Sequence, residues 1–400
     1  MGSGGVSLEA EMSRFEVNDM RIYESFSYPG NNASVLRQGN VTGWRKILVA
    51  VTLITSATGI GLAQRHDSDD AFLPSPVRSV STVPGNGDVN PYGVAFVEDN
   101  FQTGSGPLKH GDILVSNYNN SQNLQGTGTT IVRVPKHGAP TLFFQGKAPL
   151  GLSTALGTLQ YGFVVVGNAP TMDGSAATAG AGSLLVINNQ GKLIQTFTNA
   201  AIQGPWDMAL FDGGDVAIAF VSNALTGTVI RLDFKVSSSG LTLQSTKTIA
   251  SGYIHRGDPV TLFVSPTGLV YDSKHDVLYV ASTGDNAVFA VRDAADRQKS
   301  DGLGTIVYQD NVHLHGALGL AMAPNGHLLV TNNDGINPDA NQPSEIVEFT
   351  KDGRFVKQIS VDPAQGGAFG LTVRTTEDKA ILAAVDDNTA TMTIWTLNLE

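Results

Sequence analysis

Three sets of residues in this 400-residue chain have side chains suited to chemistry. His255, His313 and His315 fall in two neighbouring connections, and clustered imidazoles can ligate a borderline metal or pass a proton. Asp207 stands beside Trp206, in a short phrase that elsewhere carries glycine. It either functions as a carboxylate at a channel mouth or caps the preceding turn. His315, His255 and Asp207 are therefore the candidate catalytic residues, for a metal-assisted elimination or lactone hydrolysis. The third set is the oxygen series Asp334, Asn337 and Asp339, the candidate cation ligands. Its spacing departs from an EF-hand and lacks a Glu at the twelfth place, although Glu345 is nearby, so a solvated loop explains it too. No cysteine is present, which excludes disulfides, thiolate metal sites and a cysteine nucleophile.

The elements that must position these residues are strands. A phrase of Pro or a small residue, a variable residue, Gly and an apolar residue recurs. Its copies are Pro91-Tyr92-Gly93-Val94, Pro149-Leu150-Gly151-Leu152, Pro205-Trp206-Asp207-Met208, Pro266-Thr267-Gly268-Leu269, Ala317-Leu318-Gly319-Leu320 and Ala368-Phe369-Gly370-Leu371. From Gly93 to Gly370 there are five intervals, a period of about 55 residues, within the range of propeller blades. Each phrase is followed by an apolar run ending in a polar residue: Asn117, Asn168, Asn223, Asp285, Asn332 or Asp386. β-Branched residues, runs of four to eight and Gly/Asn/Asp punctuation are strand signals, and helical periodicity is nowhere sustained. Four antiparallel strands in each of six repeats predict an all-β, six-bladed β-propeller over residues 76–400. The last repeat has room for three strands only. Val77–Val83 is expected to supply the fourth and close the ring.

In such a ring the variable residues Tyr92, Leu150, Trp206, Thr267, Leu318 and Phe369 are expected around the channel mouth. The collar Asn117, Asn168, Asn223, Asn332 and Asp386 is expected outside them, on the same face. Asn and Asp also suit tight turns, because they tolerate left-handed backbone and bond their own chain. A ligand over an aromatic floor, oriented by a polar collar, is the functional expectation.

These phrases resemble those of the NHL-repeat family of six-bladed propellers, whose blades share the Pro-x-Gly-apolar start and a strand ending in Asn or Asp. The resemblance covers about residues 76–400 and implies a fold, which hosts lactonases, lyases, sensor modules and scaffolds alike. The chain is also distantly similar to the gluconolactonase (senescence-marker) propellers, which hold a divalent metal with Glu, Asn and Asp largely at the variable position. Here Thr267 and Leu318 stand there, with Tyr92 where that family has Glu. Leu and Phe offer a hard cation no oxygen, so no central lactonase metal site is expected. The amidating-lyase relatives hold zinc with histidines near the starts of inner strands. His315 matches in position, but Asn90, Ala148, Gly204, Ser265 and Gly367 occupy the other blades. His315 beside Asp258 or Asp285 is similar to the His and carboxylate of virginiamycin B lyase. No cofactor is predicted, and a divalent metal remains an alternative.

Composition sets the rest. Hydrophobic residues make up 41% and charged residues 15%, which suits a packed body, and a net charge of −11 argues against a nucleic-acid partner. Arg45-Lys46, an uncharged stretch from Ile47 to Gln64, and small residues at Gly61 and Ala63 predict an export signal over 46–63, cleaved after Ala63 or retained as an anchor. Residues 1–45 are read as a disordered leader or a misassigned start, and 64–75 as a linker. The expectation is a periplasmic or extracellular monomer that binds a small molecule or a partner protein and touches the membrane only through that segment.

Overall fold

The computed structural model describes residues 71–73 and 78–399, and the predicted leader and signal stretch lie outside them. Among the described residues no helix is long and apolar enough to cross a membrane. Six four-stranded antiparallel sheets form the blades of a propeller. Their inner strands are Val89–Phe96, Leu152–Leu159, Pro205–Asp212, Pro266–Asp272, Ala317–Met322 and Ala368–Thr375, each beside the next around a closed ring. The closing strand is Arg78–Ser81, which pairs antiparallel with Thr391–Asn398 as the fourth strand of blade 6. Closure by an N-terminal strand was legible because the last repeat was one strand short.

The second strand of each blade reads as a continuous apolar run because both its faces are buried, each against a neighbouring blade. In Ile113–Asn119, Leu114 packs into the seam with blade 2, whereas Ile113 and Val115 pack into the seam with blade 6. Six apolar clusters fill the six seams in this way.

Two features lie outside the repeat. Between blades 3 and 4, Arg256–Asp258 and Leu262–Val264 form a hairpin on the face where the inner strands begin, here the upper face. The Ala/Gly/Ser-rich stretch Gly174–Gly182 forms a 3-10 turn at Ala176–Thr178, and Ala176 and Ala179 pack with that hairpin's Leu262 and Phe263. Within the stretch read as a linker, Phe72 and Leu73 are buried in the seam between blades 5 and 6. The buried Glu348 carboxylate accepts the Phe72 N–H (2.7 and 2.9 Å to its two oxygens) and the Leu73 N–H (2.9 Å), and the buried His327 pairs with it at 2.6 Å. Lys357 donates to the Leu73 carbonyl at 2.8 Å.

Candidate functional site

The glycine of the repeated phrase is there for close approach between inner strands. A Cβ at Gly268, Gly319 or Gly370 would lie 2.3, 2.5 or 1.9 Å from the carbonyl oxygen of Leu318, Phe369 or Tyr92 in the next blade. Second-strand hydroxyls of blades 1, 3 and 5 each tie a blade to the next. Ser116 Oγ accepts the Gly93 N–H and donates to the Ser153 carbonyl, both at 2.8 Å. Ser222 joins the Asp207 N–H to the Thr267 carbonyl, and Thr331 joins the Gly319 N–H to the Phe369 carbonyl, in the same way. This pattern aligns Ser153 with Thr267 and Phe369. Leu150 is therefore not the variable residue of blade 2. It packs in the blade 1–2 seam, because the strand pairs Leu152 with Asn168, as Pro205 pairs with Asn223, and so starts three residues later than the phrase implied.

Tyr92, Trp206, Leu318 and Phe369 do converge, but as a sealed plug. Tyr92 stacks on Tyr118 and on Phe369 with ring centres 4.5 Å apart, and meets Trp206 edge-on at 5.6 Å. Phe263 of the extra hairpin closes over Trp206 at 5.5 Å. Tyr92, Trp206 and Leu318 are each 2% exposed and Phe369 9%, so the expected upper mouth is filled. Thr267 is buried too and donates to the Ala317 carbonyl at 3.1 Å.

The polar collar is also buried, and its bonds hold the chain. Asn168, Asn223, Asn332 and Asp386 each sit opposite the first residue of their blade's inner strand, and Asn117 sits opposite Pro91, the third residue of its own. Asn117 donates to the Thr82 carbonyl, Asn168 to that of Leu150, Asn223 to that of Ala201 and Asn332 to that of His313, each clamping the connection that enters the blade. Asp386 accepts from Thr389 at 2.6 Å. In blade 4 the aligned residue is Ser282, opposite Pro266, whereas Asp285 lies in the following turn and accepts from Ser282 at 2.6 Å.

The three candidate catalytic residues are held in different surroundings. His255 is exposed and its Nδ1 is 3.0 Å from the Tyr253 carbonyl. His315 is buried on the entry to blade 5, with Nδ1 on the Asn337 carbonyl and Nε2 unbonded within the protein. Near it, burial pushes the Glu345 carboxyl up to about 7, with the Asp334 charge adding and His315 opposing. Asp334 accepts the Ser344 and Gly366 N–H groups at 3.1 Å, Asp339 accepts the Asn341 N–H at 2.8 Å, and Asn337 donates to the Asn311 carbonyl at 2.8 Å. The oxygen series thus shapes its own loop. Among the described residues no three His, Asp or Glu side chains converge as metal ligands do.

Asp207 has a different setting. It lines a cavity of about 250 Å³ on the propeller axis, beneath the plug, together with Thr154, Leu210, Tyr271, Met322 and Val373. The inner strands are sheet edges, so their unpaired backbone groups face this space. Asp207 fills one such need by accepting the Leu269 N–H of the next blade at 2.8 Å, and it also accepts the Met208 N–H at 2.8 Å. Thr154, at the same level of blade 2, donates to the Trp206 carbonyl. A second cavity, of about 290 Å³, shares Val94, Leu156, Leu210 and Thr372 with the first and extends to Glu98, just past the end of one inner strand, and to Asp212, the last residue of another. The accessible end of the axis is therefore the lower face, opposite the predicted mouth. Sequence reasoning missed Thr154, Glu98 and Asp212; the signal for the last two was a carboxylate immediately after or at the end of an inner strand.

Burial pushes the Asp207 carboxyl up to about 7, against which its two N–H donors act only in part. Because the folded state holds this proton more tightly than the unfolded chain, stability from this group is full below about pH 4 and falls until about pH 7. Asp207→Asn keeps an acceptor for Leu269 and removes the charge. It is expected to raise stability at pH 8 by on the order of 2–4 kcal/mol, the gain shrinking towards pH 4. Urea unfolding at several pH values measures this, and a gain independent of pH would contradict it.

No family model matches this chain, and no curated protein matches it. Solved structures do. A luciferin-regenerating enzyme aligns with a TM-score of 0.51 at 11% identity, covering 80% of this chain and 94% of its own. A gluconolactonase from Xanthomonas campestris aligns at 0.49 and 11%, covering 81% and 99%. The major Malassezia sympodialis allergen Mala s 1 aligns at 0.47 and 15%, covering 81% and 96%. At these identities the likeness is one of fold.

Proposed function

We propose that this chain is an exported, monomeric propeller of NHL type that binds a small molecule in its axial cavity, entered from the lower face. The observation that carries this reading is the pairing of a filled upper mouth with an open axial cavity holding Asp207 at its blind end. A concave site with few polar groups is what small ligands use, and about 250 Å³ holds about eight groups of water size at roughly 30 Å³ each. Binding without catalysis is the simpler role, since His255 and His315 line neither cavity. The Arg45-Lys46 signal pattern supports export.

Thr372 lines both cavities and marks their junction. Thr372→Trp is expected to weaken binding of n-butanol and n-butylammonium more than tenfold, read by calorimetry, with the far-ultraviolet circular dichroism unchanged. Wild-type affinity in a folded Thr372→Trp protein would overturn the axial reading.

A further inference from the structure

Resting on the axial-cavity reading, we infer that the ligand is a small organic cation carrying a primary ammonium group. Two independent observations point this way. First, the ionisable side chains lining the two cavities are Asp207, Glu98, Asp212 and Tyr271, and no Lys, Arg or His lines either one. Arg374 lies beside the lower end, but its guanidinium is directed to Asp99 at 2.6 Å and more loosely to Glu98 at 3.7 Å. Asp212 is met only by amide N–H groups, from Gln160 (backbone 2.6 Å, side chain 3.0 Å) and Gly214 (3.0 Å). A cation entering from the lower face therefore passes carboxylates and ends at one, on a chain whose net charge is −11.

Second, Asp207 occupies a position where four of the other five blades have Gly and the fifth has Thr154. A carboxylate at this depth, with two amide donors and no countercharge, destabilises the empty fold. A bound ammonium would offset that cost.

The ammonium is argued to be primary from the acceptors on offer. A carboxylate has about four lone-pair sites, and two at Asp207 are taken by the N–H groups of Met208 and Leu269. An –NH₃⁺ head has three donors, enough for the free lone pairs and an inner-strand carbonyl. A quaternary ammonium has none and is recognised by aromatic cages. Here the aromatic plug is buried above the floor, outside the lining, and the aromatic residue in the axial cavity's lining, Tyr271, donates its hydroxyl to Asp276 at 2.8 Å.

The test uses n-butylammonium and its neutral counterpart n-butanol with the full chain at pH 8, by calorimetry and thermal shift. The expected result is at least tenfold tighter binding of the ammonium. Asp207→Asn should erase that preference to within twofold. If the two probes bind equally and Asp207→Asn changes neither, the cation inference falls and the cavity reading stands. If neither probe binds, both fall. Should the variant not fold, the wild type decides: the preference must decline as pH drops from 8 to 5 and Asp207 takes up its proton, and a preference constant over that range overturns the inference.

Discussion

Gly370→Ala is expected to destabilise the propeller by about 3 kcal/mol or more, although it adds a single methyl group. The new Cβ would sit 1.9 Å from the Tyr92 carbonyl oxygen, a backbone atom that cannot swing aside. Blade 6 and blade 1 would have to part at the axis. Tyr92 is stacked between Tyr118 and Phe369, so moving its backbone disturbs the plug as well. Gly85 is the internal control, because a Cβ there meets nothing within 4 Å. Gly85→Ala should shift stability by no more than about 1 kcal/mol, in the stabilising direction if at all. Denaturant titration of both proteins separates a steric cause from a general intolerance of alanine, and near-equal midpoints would refute the close-approach explanation of the repeated glycine.

Glu348→Ala is expected to cost about 3–5 kcal/mol and to free the chain around Phe72 for protease. The substitution strips the acceptor from two backbone N–H groups and from His327, all in a seam that water does not reach. Phe72→Ala removes a side chain that is 7% exposed and should cost about 3 kcal/mol. Both act through one docked segment, so their effects cannot add: once residues 71–73 leave the seam, nothing further is lost there. The double variant should be little worse than Glu348→Ala alone. Fully additive losses would mean that the two residues stabilise the domain separately, and an unchanged N-terminal cleavage pattern would mean that the segment is not held by Glu348.

The period was readable because each blade repeats the same solution to the same problem, burying both faces of a second strand and bringing inner edges together. The blade count, the four-strand sheets and the closing strand follow from it. Errors arose where one repeat departs from the others. In blade 2, Pro149-Leu150-Gly151 imitates the phrase, yet the hydrogen-bonded register starts at Leu152, and spacing alone cannot separate the two. In blade 4, Ser282 carries the collar position that Asp285 was expected to fill. The variable residues were correctly grouped in the case of Tyr92, Trp206, Leu318 and Phe369. Whether a ring of aromatic residues lines an opening or fills it depends on side chains that arrive from elsewhere, here Tyr118 and Phe263. Residues 71–73 are too few to show any periodicity, and their partner Glu348 is 275 or more positions away.

The order of attachments along the N-terminal side has a mechanical consequence. The closing strand runs antiparallel to its neighbour, with Arg78 opposite Ile394 and Ser81 opposite Thr391, so a pull on Arg78 alone would unzip its pairs one at a time. Tension arriving from further upstream meets Phe72 and Leu73 first. That grip lies between two blades and ends on carboxylate oxygens, so the force is shared by several bonds at once before the edge strand feels it. A propeller tethered by its leading end would in this way resist peeling at the place where a ring closed by a short strand is weakest.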